Sequence, residues 1–185
     1  MKGLIGIAGA ARSGKDTVAS FLIEAMDRKN ICGMRYSFAD PLKRAASEMF
    51  GVDLDIFYSD DKEMIDSFWG ISYREMLQKM GTQGGRELFF NDIWIRRAQL
   101  TLNKMPDDIA LVIPDIRFDN EAEWIRSNGG SIIHVEREKK SSLTETATSH
   151  LSEMGIQKNV GDYTIHNNGS LEDLKNKTIN LTLLR

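Results

Sequence analysis

Apolar positions along this chain switch repeatedly between two periods. The run Gly3-Leu4-Ile5-Gly6-Ile7-Ala8-Gly9 is almost uninterrupted and predicts a strand buried on both faces, as in a parallel sheet. From Gly14 to about Arg28, Val18, Phe21, Leu22 and Ala25 recur at helical spacing and predict an amphipathic helix. Met34 to Phe38 reads as a second strand. Asp40-Pro41 then starts a helix in the order N-cap and proline, with Leu42, Ala45, Ala46 and Met49 as its buried stripe. Ser72-Tyr73-Arg74-Glu75 fits a capping box ahead of a short helix through Met80, which Gly81-Thr82-Gln83-Gly84-Gly85 is expected to break. A helix from Asn91 to Asn103 precedes the most apolar strand, Ile109 to Ile113, ended by Pro114. A helix from Glu121 to Ser127, strands at Ser131 to Val135 and Tyr163 to Ile165, and a terminal helix from Ser170 complete the pattern. Strands alternating with helices predict an α/β fold that binds ligands at the carboxyl ends of its strands.

Glu136 to Lys158 breaks the alternation. It carries Arg137, Lys139 and Lys140, then a Ser/Thr-rich stretch without a sustained apolar period, and reads as a polar flap. The 185 residues suffice for one domain with a small insertion, and 41% hydrophobic and 28% charged residues are the composition of a globular protein. A net charge of -3 gives no global positive field, which argues against nucleic acid as partner. Cys32 is the sole cysteine, which excludes an intramolecular disulfide framework and points to a reducing compartment. No apolar run reaches the roughly 18 residues that span a bilayer, and a strand starting at Gly3 leaves no room for a signal peptide. The expectation is a cytoplasmic protein with no membrane partner.

Gly9-Ala10-Ala11-Arg12-Ser13-Gly14-Lys15 matches G-x-x-x-x-G-K between a buried strand and a helix. Glycines at both ends let successive N–H groups face inward, and the helix N-terminus adds partial positive charge, so the turn suits a polyphosphate. Gly9, Ala11, Arg12, Ser13, Gly14, Lys15, Asp16 and Thr17 form the expected nucleotide site, with Lys15 on the β and γ phosphates. Where Ser or Thr usually follows the lysine to hold Mg²⁺, this chain has Asp16. A carboxylate beside a triphosphate needs a cation or water between them, so Asp16 is expected to face Mg²⁺ or its water shell.

Gly-Lys-Asp-Thr at 14 to 17, Phe-Ala-Asp-Pro-Leu-Lys at 38 to 43, Met-Gly-Thr with Gly-Arg at 80 to 86, Trp94, Asp-Ile-Arg-Phe with Asn-Glu at 115 to 121, and Ser-His at 149 to 150 follow one another in order. In these the chain resembles the phage-type deoxynucleoside monophosphate kinases, P-loop enzymes related to phosphomevalonate and dephospho-coenzyme A kinases. The resemblance implies a P-loop kinase-like three-layer sandwich with a central parallel sheet, an acceptor-binding helical insertion at about 40–105 and a lid at about 136–158. It also implies ATP- and Mg²⁺-dependent phosphorylation of a deoxynucleoside 5′-monophosphate, in the host cytoplasm if the chain is phage-encoded.

Against that expectation, Asp40 reads as an acceptor or metal ligand or a helix cap, and Lys43 as a phosphate contact or a solvated helix residue. Arg74, Arg86, Arg96 and Arg97 lie in the insertion. Arg86 is the first choice for the acceptor phosphate, because a glycine-rich stretch precedes it and a guanidinium grips phosphate bidentately. Trp94, with Phe68 or Trp69, is a candidate for stacking on a base or for the core. Asp115 closes a strand in the Walker-B position for Mg²⁺, and Arg117 points to the same rim or pairs with Asp119 or Glu121. Arg137 starts the flap and is expected at the γ phosphate. His150 could bond the acceptor or sit on the surface, and Asn167, Asn168 and Gly169 follow the last strand, at the adenine edge or as a plain turn. A kinase of dephospho-coenzyme A or phosphomevalonate is the rival reading. A GTP switch is remote, because Asn103-Lys104-Met105-Pro106 puts proline where N-K-x-D needs its acid. The partner is a small molecule; the accepted bases and pairing into a homodimer stay open.

Overall fold

The structure, a computed structural model, describes residues 3–138 and 155–181. In chain order the elements are β1 (Gly3–Ala8), α1 (Lys15–Asp27), β2 (Cys32–Arg35), α2 (Asp40–Phe50), α3 (Tyr73–Gln78), α4 (Ile93–Lys104), β3 (Ile109–Ile116), α5 (Asp119–Ser127), β4 (Ser131–Glu136), β5 (Tyr163–His166) and α6 (Leu171–Ile179). They fall into two compact units, one of Met1–Ser37 with Met105–Arg185 and one of Phe38–Lys104.

The first unit is an α/β fold around a five-stranded sheet of order β2-β3-β1-β4-β5. Every neighbouring pair is parallel. β1 lies at the centre because its residues are apolar on both faces; Ile5, Ile7, Val112, Ile133 and Val135 join Val18 and Leu22 of α1 and Leu174 of α6 in the core. Central placement puts the carboxyl end of β1, where the phosphate loop begins, between β3 and β4, the position at which such sheets form a ligand crevice.

Two strands differ from their sequence reading. Pro114 does not end β3, which continues to Ile116. Gly6 pairs with Ile113 but Ala8 with Ile116, so one extra residue is absorbed as a bulge around Pro114, which has no N–H to lose from the ladder. β2 lies earlier than expected, because its partners are the first residues of β3: Cys32 pairs with Ile109 and Arg35 with Val112. Beyond Arg35 the Tyr36 N–H still reaches the Val112 carbonyl, at 3.0 Å. The edge position of β2 leaves Cys32, Met34 and Arg35 exposed, so the strand carries no inward apolar pattern.

The second unit is helical, with 3₁₀ turns at Leu54–Phe57 and Asp60–Glu63, and it packs around Ala46, Val52, Phe57 and Met76. Ala39 rather than Asp40 takes the N-cap place of α2, and Asp40 stands in the first helical turn. Ala45 and Met49 are exposed; the buried line of α2 runs through Leu42 and Ala46. The glycine-rich stretch does not break α3 but widens it into a π-helix over Lys79–Glu87. There the Leu88 N–H reaches the Gln83 carbonyl and the Phe90 N–H reaches Gly85, five residues back in each case. Gly85 sits where a Cβ would stand 2.9 Å from the Trp94 ring, so the helix needs a glycine to lie against that indole. The stretch expected as an acceptor-binding insertion, about 40–105, covers nearly the same residues as this unit.

Candidate active site

The phosphate loop is built by backbone geometry that the sequence encodes at its ends. Gly9 has φ +154 and Gly14 φ +104, and a Cβ on Gly9 would stand 2.4 Å from the Val135 carbonyl oxygen. Arg12, at φ +61, takes the left-handed conformation despite its side chain, a strain that clusters at ligand-binding turns. The Ser13 N–H donates to the Ala10 carbonyl at 3.2 Å and closes the curl. The Ser13 hydroxyl is buried inside it without a hydrogen-bond partner among the described residues.

Lys15 folds back over this loop. Its Nζ donates to the carbonyl oxygens of Gly9 at 2.7 Å and Ala10 at 2.6 Å. Burial, and then the neighbouring positive charge of Arg117, lower the pKa of the ammonium from the ordinary lysine value, against the pull of Asp16 and Asp115. Those four side chains therefore share one electrostatic neighbourhood at the carboxyl ends of β1 and β3.

Asp115 sits in the bulge at the end of β3, and its Oδ2 accepts from the Ser37 hydroxyl at 2.5 Å. Arg117 follows on an exposed turn. The buried Glu121 carboxylate holds that turn, accepting from the Arg117 N–H at 2.9 Å and the Phe118 N–H at 3.2 Å. Asp16, in the first turn of α1, is exposed and ion-paired with Arg35 at the end of β2. Neither Ser37 nor Arg35 carries a signal at the sequence level, because each acts through a partner distant in the chain, whereas Glu121 already stood beside Asp119 as a pairing candidate for Arg117.

Beside the loop lies a cleft of about 430 Å³, lined by Arg12, Gly14, Asp16, Thr17, Arg137 and Asn167 among others. Gly169 and Leu174 also line it, from the loop after β5 and from α6. Asn168 turns its side chain to the Glu138 N–H at 2.9 Å, and its neighbours Asn167 and Gly169 form the wall. The first unit thus brings together the loop residues, Lys15, Asp16, Thr17, Asp115, Arg117 and Arg137.

In the second unit, Asp40 and Lys43 meet at Tyr58. The Tyr58 hydroxyl donates to Asp40 Oδ1 at 2.7 Å, and the Lys43 ammonium lies 3.7 Å from the centre of the Tyr58 ring. The other sequence candidates each hold a local partner. Arg74 Nε donates to Glu63 at 2.7 Å, and the buried Arg86 donates to the Asn91 carbonyl at 2.6 Å. Trp94 Nε1 donates to the Gly81 carbonyl at 3.0 Å, Arg96 to Asp92 at 2.9 Å and Arg97 to Thr101 at 2.8 Å. Phe68 is 84% exposed, and the Trp69 indole donates to the Phe50 carbonyl. His150 and most of the polar flap lie outside the described residues.

A glycine-bracketed turn leaving the central strand of a parallel sheet, closed over by its own lysine with an aspartate at the end of the adjacent strand, is the construction of P-loop nucleotide-binding proteins. Similarity elsewhere in the chain narrows the class. The chain belongs to the deoxynucleotide monophosphate kinase family, whose sequence model matches residues 56–178. That match begins after the phosphate loop, so the loop and the family are independent observations. Over 151 residues the chain is 35% identical to a protein of Acanthamoeba polyphaga mimivirus named, provisionally, a deoxynucleotide monophosphate kinase, covering 72% of this chain and 74% of that one. The deoxynucleoside-5′-monophosphate kinase of Escherichia phage T5 is 30% identical over 182 residues, 68% of this chain and 72% of its own. The deoxynucleotide monophosphate kinase of Enterobacteria phage T4 is 25% identical over 245 residues, 96% and 97% of the two chains. No helix among the described residues is long and apolar enough to cross a membrane.

Proposed function

We propose that this protein transfers the γ-phosphoryl group of ATP to the 5′-phosphate of a deoxynucleoside monophosphate, with Mg²⁺. The observation that carries the reading is the loop itself, whose curl is held open at Gly9 and Gly14 and bridged by the Lys15 ammonium, with Arg117 beside it. An ammonium resting on two carbonyl oxygens exchanges them for phosphate oxygens at little electrostatic cost, because both are acceptors and the phosphates carry full charge. The loop amides and Lys15 would hold the β and γ phosphates, and the cleft bounded by Arg137, Asn167 and Gly169 would take the nucleoside end.

Asp16 and Asp115 would hold Mg²⁺. Two carboxylates completed by substrate phosphate oxygens suit this ion better than an all-protein cage, and among the described residues no three His, Cys, Asp or Glu side chains converge to make one. When bound, the ion neutralises and aligns the phosphate oxygens. Ser37 orients Asp115 for that task, and Arg35 competes for Asp16.

The acceptor oxygen is largely ionised at neutral pH, so the transfer needs no dedicated base and no covalent enzyme intermediate. What the chain must supply is alignment and charge, the usual means of phosphoryl-transfer catalysis. On the acceptor side, the Asp40, Lys43 and Tyr58 cluster supports the assignment of Asp40 and Lys43. Arg74, Arg86, Trp94 and His150 remain in the proposal as sequence assignments.

The test is to incubate the protein with Mg²⁺ and γ-labelled ATP and each deoxyribo- and ribonucleoside monophosphate in turn, with dephospho-coenzyme A and phosphomevalonate as controls. Label should appear in at least one deoxynucleoside diphosphate. Label confined to a control compound would overturn the acceptor class.

A further inference from the structure

One side chain ties the loop after β5 to the phosphate loop. Asn167 donates from Nδ2 to the Ser13 carbonyl oxygen at 2.8 Å, bridging 154 positions of sequence. The residue is also anchored through its main chain, since its N–H donates to the Glu136 carbonyl at the end of β4 at 2.7 Å. A Cβ on Gly14 would stand 2.6 Å from the same Nδ2, so the amide is packed directly against the Ser13–Gly14 peptide.

That peptide unit is the weak point of an anion cradle. It is planar and trans, so its carbonyl and its N–H point in opposite directions. Rotating it by half a turn would exchange the directions of the Ser13 carbonyl and the Gly14 N–H. Most residues resist such a flip, but Gly14 stands at φ +104 and tolerates both arrangements. The hydrogen bond from Asn167 holds the Ser13 carbonyl to one side. It thereby fixes the direction of the Gly14 N–H, at the junction where the loop becomes the N-terminus of α1.

We infer that Asn167 is a positioning residue for phosphate binding: its side chain locks the Ser13–Gly14 peptide in the orientation that offers its N–H to the triphosphate. The inference rests on the proposed phosphate site and adds a determinant to it. Because Asn167 and Gly169 also line the cleft, the same loop that borders the nucleoside end sets the shape of the phosphate end.

The experiment uses inorganic tripolyphosphate, which has no base, beside ATP, both with Mg²⁺ and titrated calorimetrically into the wild type and Asn167→Leu, a neutral substitution with the same heavy-atom count and branching but no donor. Asn167→Ala is run in parallel in case leucine is not accommodated. Wild type should bind both ligands, and the variant should lose about tenfold in affinity for each, the same factor for both. The acceptor KM should stay unchanged. If ATP affinity falls while tripolyphosphate affinity does not, Asn167 serves the nucleoside alone and the inference fails. If the acceptor KM worsens equally and thermal stability drops with it, the bond is merely structural and the inference again fails. A wild type that binds neither ligand would overturn the phosphate site itself, before any variant is compared.

Discussion

Asp162, just before β5, offers a perturbation whose size follows from geometry. Its carboxylate is 6% exposed and accepts from Arg126 Nε at 3.1 Å and Nη2 at 2.7 Å, from His134 at 2.9 Å and from the Asn159 N–H at 2.9 Å. An ionised carboxylate has no proton to give, so His134 must carry its hydrogen on Nε2. Burial opposes ionisation here, but the hydrogen bonds from Arg126, Asn159 and His134 together outweigh it and bring the pKa from 3.8 down to about 2. A carboxylate depressed in the folded state contributes stability that is present above about 3.8 and lost as pH falls toward 2. At about 1.4 kcal/mol per pH unit, this contribution is on the order of 2–3 kcal/mol at neutral pH. Asp162→Asn should therefore cost about 2–3 kcal/mol at neutral pH, with the Arg126 guanidinium losing its nearer charged partner and keeping Glu123 at 3.9 Å. Urea unfolding of both proteins at a series of pH values from about 7 to about 2 measures it, since the gap between them should close across the lower half of that range. A gap that stays constant with pH would refute the reasoning, because the loss would then owe nothing to the charge.

Lys15→Met should lower kcat by at least about a hundredfold while the protein melts at no lower temperature, since the ammonium is held partly desolvated beside Arg117; near-normal turnover would contradict the loop assignment. Arg86→Ala removes the hydrogen bond to the Asn91 carbonyl and the packing of a buried side chain, so it should destabilise by about 1–3 kcal/mol, read by denaturant unfolding, and raise the acceptor KM more than that for ATP; an effect confined to ATP would move Arg86 to the donor side. Tyr58→Phe keeps the ring against Lys43 but loses the bond to Asp40, so the acceptor KM should rise several-fold with the ATP KM unchanged, and Tyr58→Leu should do more. A Tyr58→Phe enzyme indistinguishable from wild type would remove Asp40 from the acceptor reading.

What could be read from the chain alone is what local pattern encodes. β1, the glycine turn, Lys15 and α1 are contiguous, and their spacing is the motif. The α/β class followed from alternating periods, and Asp115 stood out at the end of the most apolar run. Contacts between remote positions left no such trace. Asn167 reaches Ser13 through an amide that in sequence belongs to an ordinary Asn-Asn-Gly turn. Glu121 stood in the sequence as a pairing candidate for Arg117, but that it is buried and accepts the Arg117 and Phe118 N–H groups is a property of the fold. The bulge at Pro114 was invisible because its signature is a register shift against β1, a property of two strands and not of one. The glycines at 81, 84 and 85 signalled an irregularity correctly but not its kind, since glycine permits both an end to a helix and a wider one.

That widened run has a mechanical consequence. A π turn accommodates an added residue without interrupting the coil, so the phase of the rest of that coil depends on the number of residues inside it. Deleting Gly84 would not shorten a slack loop. It would let the segment tighten toward ordinary pitch and turn the residues that follow it in the coil, Gly85 to Glu87, by about 100° about the axis relative to α3, as a screw turned by one thread mark carries its slot around. Gly85 would then turn away from the Trp94 indole now seated against it. Chain length here is a calibrated angle, and this stretch should tolerate exchanges of side chain far better than a change in residue count.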